Sequence, residues 1–312
     1  MLEDYRNALR AGQRATRAAQ ARGQSPYLAV LDDILRGVNI VAQEPLGLVD
    51  IPAESIVGTK TAGRHTAFAP NFMPILEADS EFARKWSNLC DAHLEEGIRY
   101  PITAYEYLNK FYVEEGNKRV SVLKYYEAVK IPGTVTRLVP ERNETLENKI
   151  YYEFLDFYKL SKINYVHFSR LGGYAKLQTL ACKATGESWT DDDRLNFASL
   201  YTMFSQQFYA LGGSALGLTP GDALLVYLAV YRYSDAIEST PAQVRENLSK
   251  LWDEIKILTR PQAVELQLEP ATKQGAEPLL SKLNIFSPRP SELRVVLLHE
   301  HNAQTSAWVR GQ

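Results

Sequence analysis

Cysteine is nearly absent from this chain of 312 residues, with Cys90 and Cys182 the only two. They lie far apart, and neither stands beside a second ligand type at metal spacing, so no disulfide framework and no zinc site follows. Both are expected to pack as small apolar side chains. Histidine is also sparse: His65, His93, His167, His299 and His301 form no H-x-x-x-H or H-E-x-x-H arrangement. His299 and His301 sit two apart on one face of an expected strand, but no third ligand joins them. An excess of one charge sign is missing too, since 35 basic residues meet 37 acidic ones for a net charge of −2. That balance argues against a generic nucleic-acid binder, whose affinity would rest on basic excess. No apolar run approaches the ~20 residues needed to span a bilayer. The start, Met1-Leu2-Glu3-Asp4-Tyr5, lacks the basic segment, apolar core and cleavage site of a secretory leader, and no lipid-accepting cysteine follows. A cytoplasmic protein is expected.

What is present is an ordinary globular composition, 45% hydrophobic and 23% charged, at a length that suits two domains. Arg6, Arg10, Arg14 and Arg17 form a basic stripe on one face of an N-terminal helix, with Arg22 just beyond. Leu9 and the many alanines make a weak opposite face, and the stripe is read as a solvated surface rather than a nucleic-acid or anionic-lipid contact. From Leu146 onward the pattern is mainly helical. Leu146 to Tyr158 carries apolar residues at three and four spacing, Ile163 to Phe168 looks like a strand, and Ala175 to Cys182 is helical. Thr190, Thr219-Pro220 and Thr240-Pro241 then open further helices. Aromatics are dense there, and their helical spacing makes them core residues before it makes them a stacking platform.

The stretch that carries most chemistry is Phe111 to Tyr126. An apolar strand ends in Glu114-Glu115, turns at Gly116, and delivers Asn117, Lys118 and Arg119 to the first turn of a helix, where unpaired backbone N–H groups favour an anion. Arg119 offers a planar fork of donors and Lys118 a mobile point charge. The alternative is a solvated basic turn, with Ser121 simply a good first-turn residue. Upstream, a helix ends at Gly97 and Pro101 begins an extended segment. Two short strands, Tyr105 to Leu108 and Phe111 to Val113, flank an Asn109-Lys110 turn. Downstream, a short helix is broken by Ile131-Pro132-Gly133 before a β-branched run.

This order resembles the ParB/sulfiredoxin superfamily. Its signature elements correspond to Ile51-Pro52-Ala53-Glu54-Ser55-Ile56 as a strand, then Arg64, then Glu96-Gly97-Ile98 with Pro101-Ile102, then Gly116-Asn117-Lys118-Arg119. The resemblance implies a nucleotide site for CTP or ATP with Mg2+, lined by Arg64, Gly97, Glu115, Gly116, Asn117, Lys118, Arg119 and Ser121. Sulfiredoxin chemistry is excluded, because a nucleophilic cysteine should follow the glycine and Asn117 stands there. The resemblance also implies a Glu-Asn pair near the nucleotide's metal ion, for which Glu147 and Asn148 are the candidates. An acid-enriched helix start explains the same residues through the helix dipole, and that reading is slightly preferred.

Over most of its length the chain is similar to bacterial substrate-binding proteins of the basic membrane protein type, which serve ABC transporters. The segments concerned are Val57 to Arg64, Glu147 to Tyr158 and Thr219 to Leu225. The expected organisation is α+β: an N-terminal helical segment (1–45), a ParB/sulfiredoxin-like domain (46–140), a helical domain (141–260), a linker (261–291) and the start of a truncated periplasmic-binding-type domain (292–312). Truncation is expected because the lone apolar strand Leu293 to Leu298 has no partner strand downstream; the alternative is that it adds to the edge of the N-terminal sheet as a closing strand.

The expected function is a nucleotide-binding regulatory module of such a protein, in contact with transporter components and membrane-associated only through them. No catalytic residue is assigned, and weak nucleoside triphosphatase activity, with Glu115 or Glu147 helping to hold magnesium, is the most this reading allows. The alternatives are a nucleotide-free structural or partner-binding module and a DNA-associated partition or nuclease-like protein. DNA is the less favoured partner, because no helix-turn-helix with a basic recognition helix is visible.

Overall fold

A computed structural model describes residues 2–259. The expected linker, the start of the truncated domain (292–312) with its strand Leu293 to Leu298, and His299 and His301 all lie outside the described residues. The fold class is α+β, a mixed six-stranded sheet accompanied by many helices. The chain divides into two compact units between Tyr152 and Glu153. Among the described residues no helix is long and apolar enough to cross a membrane.

The first unit opens with α1 (Leu2–Ala21), which buries Tyr5, Ala8 and Ala19. Gly12 lies in the same stripe because a Cβ there would stand 2.3 Å from the Pro74 carbonyl oxygen. Then come β1 (Ala29–Val30), α2 (Leu31–Ile34), β2 (Ile40–Pro52), β3 (Ile56–Thr59), a 3-10 helix (Ala62–Ala67) and α3 (Glu81–Glu96). They are followed by β4 (Ile102–Tyr107), β5 (Lys110–Glu115), α4 (Asn117–Tyr125) and β6 (Lys130–Pro140). The strands lie in the order β1-β3-β5-β4-β6-β2. β3 and β5 run parallel, as do β4 and β6, while the β4–β5 hairpin and the β2–β6 pair are antiparallel.

One core gathers Ile51, Ile56, Ile102, Ala104, Phe111, Val113, Ile131 and Val135 from the strands with Val120 and Leu123 of α4 and Phe68 and Phe72. A second lies between α1 and α3, centred on the fully buried Trp86, whose ring meets Tyr5 and Tyr125 edge-on at 5.5 and 5.6 Å. A third, smaller cluster joins Leu31 to Tyr107, Tyr112 and Leu138.

Several local expectations shift. The hairpin turn is Leu108-Asn109, both with positive φ (51° and 62°), and Lys110 already belongs to β5. Two successive positive φ values define the type I′ turn that suits a twisted hairpin. The Asn109 N–H is held by Glu106 Oε1 at 2.7 Å, which steadies a leucine in an unfavourable conformation. Ile51 to Ile56 is not one strand: β2 ends at Pro52, Ala53–Ser55 is a 3-10 turn, and β3 starts at Ile56. Pro132-Gly133 does not precede a strand but lies inside β6. Pairing of β6 with β4 begins only at Gly133, so at Pro132 the strand is paired on one side alone and tolerates the missing donor.

Helix α5 (Leu146–Ser161) spans the boundary between the units. The second unit continues with α6 (Gly173–Leu180), α7 (Asp191–Ala210), α8 (Pro220–Val230), α9 (Tyr233–Ile237), α10 (Pro241–Lys250) and α11 (Trp252–Ile257). Thr190, Thr219 and Thr240 each close a capping box at the expected helix starts. The helix expected from Ala242 to Leu258 is interrupted at Leu251. Ile163 to Phe168 is irregular rather than a strand. Its Ile163, Val166 and Phe168 are buried, so the apolar alternation reflects packing, with no partner strand among the described residues of this unit. Of the aromatics expected in the core, Tyr151, Phe154, Phe157, Phe197, Phe204, Phe208 and Tyr227 are buried, Tyr152, Tyr158, Tyr201, Tyr231 and Tyr233 are half-buried, and Tyr209 is exposed. Cys90 is buried as anticipated, and burial pushes its thiol up to about 12. Cys182 is exposed instead, standing past the end of α6 with φ 59°.

Candidate functional site

The Gly116 turn stands where β5 meets α4. Gly116 is the N-cap of α4 with φ 107°, a conformation that L side chains rarely adopt, and no side chain caps the helix. A Cβ there would also lie 2.8 Å from Ile102 Cγ2 and 3.1 Å from the Arg119 Nε. Glycine is therefore required twice over, by backbone angle and by space. The N–H groups of Asn117, Lys118 and Arg119 form the first turn, which by geometry has no intrahelical acceptor.

The three side chains leave this turn in different directions. Asn117 Nδ2 donates to Thr59 Oγ1 at 3.3 Å, and Thr59 donates onward to the Val113 carbonyl at 3.0 Å. Because the Thr59 hydrogen is committed there, the amide orientation is fixed, and the buried Asn117 Oδ1 has no donor among the described residues. Lys118 places its Nζ 4.8 Å from the centre of the Phe82 ring. Its pKa is lowered, first by burial and then by the nearby charges of Arg64 and Lys85. Arg64 is exposed on the 3-10 helix, and Lys85 is paired with Glu81 at 2.6 Å, so Lys118 lies in the field of two cations and of a carboxylate that opposes them. Lys85 was not among the sequence candidates. The available signal was its place one turn after Glu81 on α3, the helix that packs against α4.

Arg119 turns to the other side. Its Nη1 donates to the carbonyls of Tyr100, at 3.0 Å, and of Pro101, and its Nη2 reaches Glu115 at 3.3 Å. This guanidinium ties the segment entering β4 to the start of α4, and most of its fork is already engaged. Gly97 belongs to the same segment: it ends α3 with φ 76° and lies exposed.

The remaining candidates are not brought to the turn's surface. Ser121 is fully buried, and its Oγ accepts the Trp86 indole N–H at 2.9 Å. Asn148 is buried; its Nδ2 donates to the Glu141 carbonyl at 3.0 Å and its Oδ1 accepts from the Asn143 N–H at 3.0 Å, closing the loop before α5. Glu147 pairs with Lys110 at 2.7 Å. Lys110 begins β5 and Gly116 follows its end, so about 20 Å of strand separates the two backbone positions. Among the described residues no three His, Cys, Asp or Glu side chains are grouped to hold a metal ion. Comparison with known protein families and with curated proteins finds no match to this chain.

Proposed function

We propose that the first unit binds the phosphates of a nucleotide, CTP or ATP, at the start of α4, as a regulatory module of a substrate-binding-type protein of the basic membrane protein kind. The observation that carries this reading is the uncapped start of α4 at Gly116, with Lys118 in its first turn and Arg64 acting on that lysine from the 3-10 helix. Arg64 and Lys118 repel each other, Glu81 already offsets Lys85, and an anion at the helix start would relieve the remaining repulsion while accepting from the first-turn amides. The order α3, β4, β5, Gly116 turn, α4, β6 is also the order on which the ParB/sulfiredoxin resemblance rests.

In this reading the backbone amides of residues 117–119 and the Lys118 and Arg64 side chains hold phosphate oxygens. Arg119 and Gly116 shape the turn, and Asn117 leaves no nucleophile for redox chemistry. A magnesium ion would arrive with the phosphates, using waters and at most one or two carboxylates such as Glu115. The role is binding rather than turnover. Thermal unfolding with CTP, ATP and GTP, each with and without magnesium, tests it. A rise in midpoint with at least one nucleotide, reduced by Lys118→Ala, is expected. No shift at millimolar ligand would sink the proposal.

A further inference from the structure

The arginine stripe on α1 is a separate feature, and packing shows what sequence could not. Helix α1 buries Tyr5, Ala8 and Ala19, the same stripe as Gly12. At 3.6 residues per turn, Arg6, Arg10, Arg14 and Arg17 fall within an arc of about 80°, opposite that stripe. All four are exposed. None makes an ion pair among the described residues; the one polar contact is Arg10 Nη2 with Asn7 Oδ1, on the same helix. The acids of this helix lie at its beginning: Asp4 is engaged by the Tyr125 hydroxyl at 3.2 Å, and only Glu3 stands at the N-terminal edge of the row. The result is an unneutralised line of guanidinium groups about 16 Å long.

The geometry points to a nucleic-acid phosphate backbone as the partner of this face. Charge complementarity calls for a polyanion, and a row one side chain wide fits a linear one. Every cation in the row is arginine, whose fork engages phosphate oxygens in pairs. Gln13, Gln20 and Ala21 border the row, and the aromatic residue of the helix, Tyr5, is buried, so among the described side chains the face offers no aromatic anchor for a bilayer. A contact of this kind reads no base sequence, because phosphate contacts position without specifying. It is independent of the Gly116 turn.

Fluorescence anisotropy with a labelled duplex oligonucleotide, at KCl between about 20 and 200 mM, tests the inference. With four phosphates engaged, the slope of log Kobs against log salt should be about −3 to −4, and Arg14→Gln should make it shallower by about 1. A variant with all four arginines changed to glutamine should lose binding while keeping the wild-type thermal midpoint, since the side chains are exposed. Should it fail to fold, the double variant Arg10→Gln/Arg14→Gln gives the same reading with a slope change of about 2. Absence of binding at the lowest salt overturns the inference, as does binding that the variants leave unchanged. Sedimentation with phosphatidylglycerol vesicles in the absence of oligonucleotide binding would also overturn it and assign the row to a lipid surface.

Discussion

Glu106 of β4 and Arg137 of β6 form an ion pair inside the first unit, with each side chain only 1% exposed. Glu106 Oε2 accepts from Arg137 Nε and from the Tyr151 hydroxyl at 3.1 Å, while Oε1 accepts the Asn109 N–H. Burial raises the Glu106 pKa against the opposing pull of Arg137. A carboxylate held by three donors ties two strands, the hairpin turn and α5 together.

Removing one member of that pair should therefore be far worse than removing both. Arg137→Leu leaves the buried Glu106 without its cation and Glu106→Leu takes the carboxylate from Arg137, and each should cost about 3–5 kcal/mol in urea unfolding. The double variant should cost clearly less than the sum of the singles. Additive losses would show that the two groups do not depend on each other.

Ser121 is expected to act through packing, not through a ligand. Ser121→Ala leaves the buried Trp86 N–H without an acceptor, at a cost of about 1–3 kcal/mol. Thermal unfolding should show the lower midpoint, while any midpoint rise caused by nucleotide stays the same size. A variant of normal stability that loses the nucleotide effect would instead make Ser121 a ligand contact.

At the turn, Gly116→Ala meets both the unfavourable φ and the close Ile102 side chain, and should lower stability by about 1–3 kcal/mol. Gly212→Ala provides the comparison: its backbone is left-handed too (φ 89°, ψ 21°), but nothing lies within 4 Å of the added Cβ. The Gly116 variant should be the less stable of the two by chemical denaturation. Equal losses would mean that backbone angle alone matters at both positions.

His167 should give the protein an acid limb. Both its ring nitrogens are buried without a hydrogen-bond partner, its ring packs edge-on to Phe154 at 6.2 Å, and burial lowers its pKa to about 4. The unfolded chain takes up the proton near pH 6.5, so between about 6.5 and 4 it binds more protons than the folded state. Stability is thus full above about 6.5 and falls as pH drops toward 4, by up to about 3 kcal/mol from this group. His167→Leu should flatten the pH dependence of urea unfolding over that interval. An unchanged slope would show that the ring is protonated without penalty.

Much of this architecture was legible in the residue order. Thr190, Thr219 and Thr240 announce their helices because a capping box is completed within four residues, and Gly97 and Gly116 mark chain reversals because few residues tolerate their backbone angles. Ile163 to Phe168 misled because apolar alternation reports burial, and burial alone does not supply a neighbouring strand. Lys85 went unseen because its proximity to Lys118 is created by the packing of α3 on α4, some thirty residues apart in sequence.

By itself, then, the sequence determined the local elements, the glycine-to-helix turn with its basic residues, and the helical periodicity of the second unit. These depend on interactions within a few residues. Only the tertiary structure decided the roles: Lys118 lies over the Phe82 ring in the field of Arg64, Lys85 and Glu81, Arg119 is engaged by backbone carbonyls, Ser121 accepts from Trp86, and Glu147 pairs with Lys110. Those outcomes rest on distance and desolvation between segments remote in the chain, which come into being only when the sheet and its helices pack.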